Sequence, residues 1–282
     1  MKKMQFGKRI INVPTTFEEL SNKQIIRWAD LVSANLTITQ FNVLMFLNLV
    51  NDNRMKWFFF KNEYLIPIMD KVTFGVFNWK VQKFDNEAFH EATLICEAFH
   101  DQHKMPFQNP VSYLGSISNI LIGHDTLFNN LCFKQFRKAE EYFAKYLDTK
   151  DEYALNHLIA TLYREENMDL ALSLSTKQIL KRVKRIGNID RAYKMAIFNN
   201  YFVNRMAITQ VYKFLYKQDG KTTNAKLNPH KIKLDLEKSV RAVAGNVNQL
   251  EDTDLKPAHD VLAYLNDEAE QAQKILDQQK SQ

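Results

Sequence analysis

The stretch "LDTKDEYALNHLIATLYREEN", residues 147–167, decides how the rest of the chain is read. On a helix over 151–164, at 100° per residue, Ala154, Leu155, Leu158, Ile159, Leu162 and Tyr163 fall into two adjacent columns. That stripe is the buried face, and Thr149-x-x-Glu152 fits a capping box that would start the helix. By the same geometry His157 and Arg164 project to the opposite side. They are therefore expected to be exposed, and the acids nearby do not converge with them on a cleft. Upstream, Phe133, Phe136, Ala139, Tyr142, Phe143 and Tyr146 keep the same period. The pair reads as a helical hairpin that turns at Asp148-Thr149-Lys150.

Working outward, helices are the rule. Ser21-x-x-Gln24 and Thr37-x-x-Gln40 are capping boxes, followed by Ile25, Ile26, Trp28, Ala29 and Val32, and by Phe41, Val43, Leu44, Leu47 and Val50. Phe89, Ala92, Cys96 and Phe99 place a helix near 86–102, and further helices are predicted over about 176–186, 190–216 and from Pro257 to about Gln278. Residues 1–16 are basic and rich in β-formers up to Pro14, which predicts an extended arm or edge strand. In residues 53–84 Pro67 and Gly75 interrupt a dense aromatic run in which neither period dominates. The predicted class is mainly α: a multi-helix domain with helical hairpins, a short N-terminal arm at 1–16, a helical core at 17–216, a linker with short helical segments at 217–256, and an amphipathic C-terminal helix at 257–282. Only seven Gly and six Pro in 282 residues argue against a turn-rich β fold.

No run of roughly 18 uncharged apolar residues is present to span a bilayer, and the N-terminus lacks a secretory signal, so a soluble intracellular product is expected. Cys96 and Cys132 are expected to be reduced and buried. Charge is unevenly spread: residues 177–231 hold 13 bases against Asp190 and Asp219, a net +11, while the remaining 25 bases and 30 acids sum to −5. Lys181, Arg182, Lys184 and Arg185, with Arg191 and Lys194 after them, form a candidate partner-binding basic face. Such a face suits an acidic protein surface or, as the alternative, a nucleic-acid backbone.

No motif nominates a catalytic, cofactor-binding or metal site. Cys96, His100 and His103 have zinc-compatible spacing but lack a fourth ligand, and Cys96 already lies in an apolar column. The dipeptides His100-Asp101, His124-Asp125 and His259-Asp260 echo helical metal phosphohydrolases in two residues only. Phosphate-binding glycine loops and a G-x-S-x-G elbow are missing. At the C-terminus Ala258, Leu262, Leu265, Ala269, Ala272 and Leu276 step by fours and threes. Leu262, Leu265 and Leu276 thereby become a candidate docking seam, for the chain's own core or for another subunit.

Three pieces in order, "VPTTFEELSNKQIIRWADLV", "LFNNLCFKQFRKAEEYFAKYLDTKDEYALNHLIATLYREE" and "KPAHDVLAYLND", resemble uncharacterised helical proteins of the tail and virion-assembly modules of tailed bacteriophages. The central piece carries most of the likeness, through Phe133, Phe136, Glu140, Tyr146, Leu155, Ala160, Leu162, Tyr163 and Arg164. The resemblance implies a non-enzymatic structural or assembly protein, a tail assembly chaperone or a tail or connector component. Its partners would be other phage subunits or further copies of itself, with nucleic acid secondary and no membrane. It would act in the bacterial host cytoplasm during assembly, or in the virion.

Overall fold

A computed structural model describes residues 1–6, 9–50, 86–101, 104–115, 120–166, 168–216, 238, 241, 243–245 and 249–280. The protein is mainly helical, with ten helices and five short strands among the described residues. The aromatic stretch 53–84 and the linker residues 217–230 lie outside the described residues. No described helix is long and apolar enough to cross a membrane. The chain divides into two compact units, Met1–Pro106 with Arg191–Asn199, and Phe107–Asp190 with Asn200–Gln282.

In the first unit, β1 (Lys2–Phe6) and β2 (Arg9–Val13) form an antiparallel hairpin with Met4 opposite Ile11, so the N-terminal arm is a paired ribbon that stops at Pro14. Helices α1 (Asn22–Ser33) and α2 (Ile38–Leu49) start at the two expected capping boxes. Gln24 serves both ends of this pair. Its Oε1 accepts from the Ser21 N–H at 3.0 Å, while its Nε2 donates to the carbonyls of Asn48 and Leu49, the last residues of α2. Asn48 Nδ2 returns a bond to the Gln24 carbonyl at 2.8 Å, so helix-end groups that would otherwise be orphaned are satisfied reciprocally. The buried column of α2 is Phe41, Met45, Phe46 and Leu49, with Leu44 and Leu47 only half-buried. Trp28 is fully buried, packs edge-on against Phe17, and donates from Nε1 to the Phe99 carbonyl beyond α3 (Asn86–Glu97).

The second unit is built on two helices flanking Lys150. Helices α4 (Phe133–Thr149) and α5 (Glu152–Leu162) form the expected hairpin, and Lys150 turns it in the left-handed conformation with φ 55°. The cap differs from the sequence expectation. Thr149 is still helical and its hydroxyl donates to the Lys145 carbonyl, which leaves Asp151 as N-cap, accepting from the Tyr153 N–H at 3.0 Å. Three short strands, β3 (Tyr113–Leu114), β4 (Leu121–Ile122) and β5 (Arg164–Glu165), make a small antiparallel sheet in that order. A helical turn, α6 (Leu170–Ser173), leads into α7 (Thr176–Gly187). Helix α8 (Arg191–Val211) is divided between the units, and α9 (Leu250–Leu255) and α10 (Ala258–Lys280) complete the second.

The exposed side expected for α5 is confined to its first turn, Glu152 and Tyr153, and does not include His157. Ala154, Leu155, His157, Leu158, Ile159, Ala160, Thr161 and Leu162 are all buried, because α4 packs on one side of this helix and α7 on the other. His157 is only 2% exposed, lies between the rings of Tyr142 and Tyr153, and donates from Nδ1 to the Tyr153 carbonyl at 2.9 Å. Burial pulls its pKa below the ordinary imidazole range. His157→Ala is accordingly expected to destabilise by about 1–3 kcal/mol in chemical denaturation, where an exposed residue would change stability by no more than about 0.5 kcal/mol. A near-zero change would return His157 to the surface.

Candidate functional site

The basic helix α7 is amphipathic in an unusual way. Its inward column is Ile179, Arg182 and Ile186, steps of three and four, so one arginine lies in phase with two core isoleucines. Arg182 is 0% exposed. Nε donates to the Ala160 carbonyl at the end of α5 at 2.9 Å. Nη1 donates to Glu165 Oε2 at 2.7 Å and Ser173 Oγ at 3.0 Å, and Nη2 donates to the Ser173 carbonyl at 2.8 Å. One guanidinium thus fastens α5, β5, α6 and α7 together through four hydrogen bonds, with its charge neutralised by Glu165. This corrects the sequence reading: Arg182 is a structural residue and is withdrawn from the partner-binding face.

Lys194 is withdrawn for the same reason, being 2% exposed in the first unit. Arg191, also of that unit, is exposed and donates to the Ser33 carbonyl at the end of α1. What remains on α7 is Lys177, Lys181 and Lys184, all exposed, with Arg185 half-buried beside them. At 100° per residue the three lysines fall within about 60° of one another on one outward face, with Leu180, which is 45% exposed, on its flank. None of these three lysines is ion-paired among the described residues.

The C-terminal seam also divides. Ala258, Leu262 and Leu265 are buried in the second unit's own core, together with Val261, whereas Leu276 is 50% exposed. From Asn266 to Gln279 no residue of α10 is buried. The intramolecular half of the seam is anchored at its start: the Ala258 N–H donates to the Leu131 carbonyl at 2.9 Å, the Phe133 N–H to the Lys256 carbonyl at 2.9 Å, and Arg137 grips Asp254 through two bonds at 2.9 and 3.1 Å.

The candidate histidines and cysteines serve the fold. His100 hydrogen-bonds Asn42 at 2.7 Å, Cys96 is buried with its thiol pushed up to about 12, and His103 lies outside the described residues, as does the side chain of Phe89. His259 donates from Nε2 to the Leu127 carbonyl and accepts at Nδ1 from the Tyr212 hydroxyl, both at 2.7 Å. No three His, Cys, Asp or Glu residues among those described are grouped to hold a metal ion.

One feature escaped sequence reasoning because no glycine marks it. Leu127 and Phe128 are consecutive left-handed residues, φ 55° and 63°, a conformation that costs a non-glycine residue about 1–2 kcal/mol. Several bonds hold them. The Leu127 N–H donates to Asn204 Oδ1 at 2.6 Å, its carbonyl is taken by His259, and Phe128 is buried against Tyr201 with ring centroids 4.9 Å apart. Tyr201 in turn donates to Glu140, which also receives Arg205 Nε at 2.8 and 2.9 Å. Burial, and then the Glu140 carboxylate, push the Tyr201 phenol well above its ordinary value, so it stays a donor. Next to this turn, Asn109 bridges the His124 carbonyl and the Tyr163 hydroxyl, and a Cβ on Gly123 would come within 2.7 Å of Asn109 Nδ2.

What the fold presents is therefore a helical scaffold whose internal charges are consumed in holding loops, with a lysine face on α7 and a half-free C-terminal helix left outside. No protein-family model matches the chain, and no curated protein or solved structure is significantly similar to it.

Proposed function

We propose that this protein is a non-enzymatic tail or virion-assembly protein of a tailed bacteriophage, an assembly chaperone or a tail or connector component, which works by docking helix faces onto partner subunits. The observation that carries the reading is the Lys177, Lys181 and Lys184 face on a helix immobilised by Arg182. A rigid, charged, partly apolar helix face accelerates encounter with an acidic partner and fixes register once bound. The paired charges support the same reading, because the buried Glu140 and the half-buried Glu165 and Asp254 are each engaged by an arginine of the fold. The phage setting rests on the sequence resemblance.

The test combines location with charge. Mass spectrometry of purified virions and of infected-cell lysate should find the protein in particles if it is structural, and only in cells if it is a chaperone. Affinity purification from infected cells should recover another virion subunit. Lys181→Glu/Lys184→Glu should weaken that recovery by about tenfold or more while leaving the helical circular-dichroism spectrum unchanged. A nucleic-acid backbone is the alternative occupant of this face. Retention of DNA or RNA at physiological salt, with affinity falling by orders of magnitude as salt rises, would establish that occupant and refute the docking reading.

A further inference from the structure

We propose that the lysine face of α7 on one copy of the chain receives the outer part of α10 from a second copy, an inference that rests on the protein-docking reading. The outer half of α10, residues 266–280, extends for about 21 Å without a buried residue from Asn266 to Gln279. It is not uniformly polar. Tyr264, Glu268, Gln271 and Ile275 step by four, three and four and share one face, with Asp267 on one flank and Ala272 on the other. Tyr264 is 49% exposed and Ile275 56%. The face is thus two acids framed by two apolar side chains.

The outward face of α7 carries the opposite charge, a stripe of Lys177, Lys181 and Lys184 with the apolar Leu180 on one flank. On α10, Lys274 is already held by Glu270 at 2.9 Å, while Asp267 and Glu268 are not ion-paired to any described residue. Pairing the two faces brings opposite charges together and covers Leu180, Tyr264 and Ile275 in one step. Both faces belong to the second unit, and both are exposed in the single chain, so the match is made between copies. About three turns of α10 on about two turns of α7 bury less than the roughly 1,200 Å² at which stable interfaces begin, so one such contact is weak and salt-sensitive. Because the faces are different surfaces of the same chain, the contact is heterologous, and it repeats head to tail into a ring or an open filament.

The experiment is sedimentation velocity of the full chain over a concentration series at low and high salt. The wild type is expected to associate reversibly, and less so at high salt. Lys181→Glu/Lys184→Glu and Asp267→Lys/Glu268→Lys should each weaken association by more than about tenfold. An equimolar mixture of the two variants should associate again, since the acidic α7 of one then meets the basic α10 of the other. Lys181→Gln/Lys184→Gln, with an unchanged circular-dichroism spectrum, separates loss of charge from loss of fold. A wild type that stays monomeric throughout, association indifferent to the α7 reversals, or a mixture that stays monomeric would overturn the proposal. So would a monomer that binds a labelled DNA duplex or RNA through the same lysines. A monomer that still recovers another virion subunit through them would remove this inference and leave the docking function intact.

Discussion

Arg182→Ala should destabilise the second unit by about 3–5 kcal/mol, measured as a fall in denaturation free energy with unchanged slope. The substitution strands Glu165 Oε2, the Ser173 hydroxyl and the carbonyls of Ala160 and Ser173, all of which are partners of the guanidinium. It also leaves a cavity where a fully buried side chain was. The Glu165 side chain is 19% exposed, so water can partly resolvate its carboxylate, which favours the lower half of the range. Arg182→Met with Glu165→Gln removes both charges and keeps much of the volume, and should recover a large part of the loss. Lys181→Ala, one residue away and exposed, should stay within about 0.5 kcal/mol. A loss below about 1 kcal/mol for Arg182→Ala would mean that the guanidinium does not clamp these elements.

The second large effect is a loss of stability on mild acidification, centred on His124. Its Nδ1 donates to the Asp125 carbonyl, and Nε2 is buried with no hydrogen-bond partner among the described residues, so a second proton would have no acceptor. Burial lowers its pKa to about 4, against about 6.5 for an imidazole in the unfolded chain. As pH falls the unfolded state takes up the proton first. The stability contributed by neutral His124 is therefore complete above about pH 6.5, declines by about 1.4 kcal/mol per unit below it, and is lost by about pH 4, a total of about 3 kcal/mol. His157, also lowered by burial, adds to the slope with the same sign. Denaturation midpoints of wild type and His124→Gln should diverge steadily between about pH 7 and pH 5. Parallel pH profiles would show that His124 takes no part.

The sequence disclosed elements better than faces. Two helix starts were legible because a side chain satisfies its own local backbone, at Ser21 with Gln24 and Thr37 with Gln40, whereas at α5 the same reasoning chose Thr149 and the cap is Asp151. Faces failed where a helix has two neighbours. A single apolar stripe presumes one packing partner, and α5 has one on each side, which is how His157 came to be placed in solvent. Arg182 was readable in principle. It sits in phase with Ile179 and Ile186, and an arginine inside an apolar column, followed through to Glu165 upstream, is the mark of a buried ion pair. The left-handed pair Leu127 and Phe128 carried no such mark, since what holds it comes from Asn204 and His259, far along the chain. Of the basic residues expected on one face of α7, Lys181 and Lys184 are exposed and share it with Lys177, while Arg185 is half-buried and Arg182 lies in the core.

The two cysteines supply an intrinsic clock for each half of the molecule. Cys96 belongs to the first unit and Cys132 to the second; both are free, buried thiols whose pKa burial raises. A thiol so placed yields almost no thiolate and reacts with an alkylating reagent only when the surrounding structure opens. The rate at which each is labelled in the native protein reports how often its own unit opens, without a probe having to be engineered. Following the two modifications by peptide mass separates a partner that tightens the first unit from one that tightens the second.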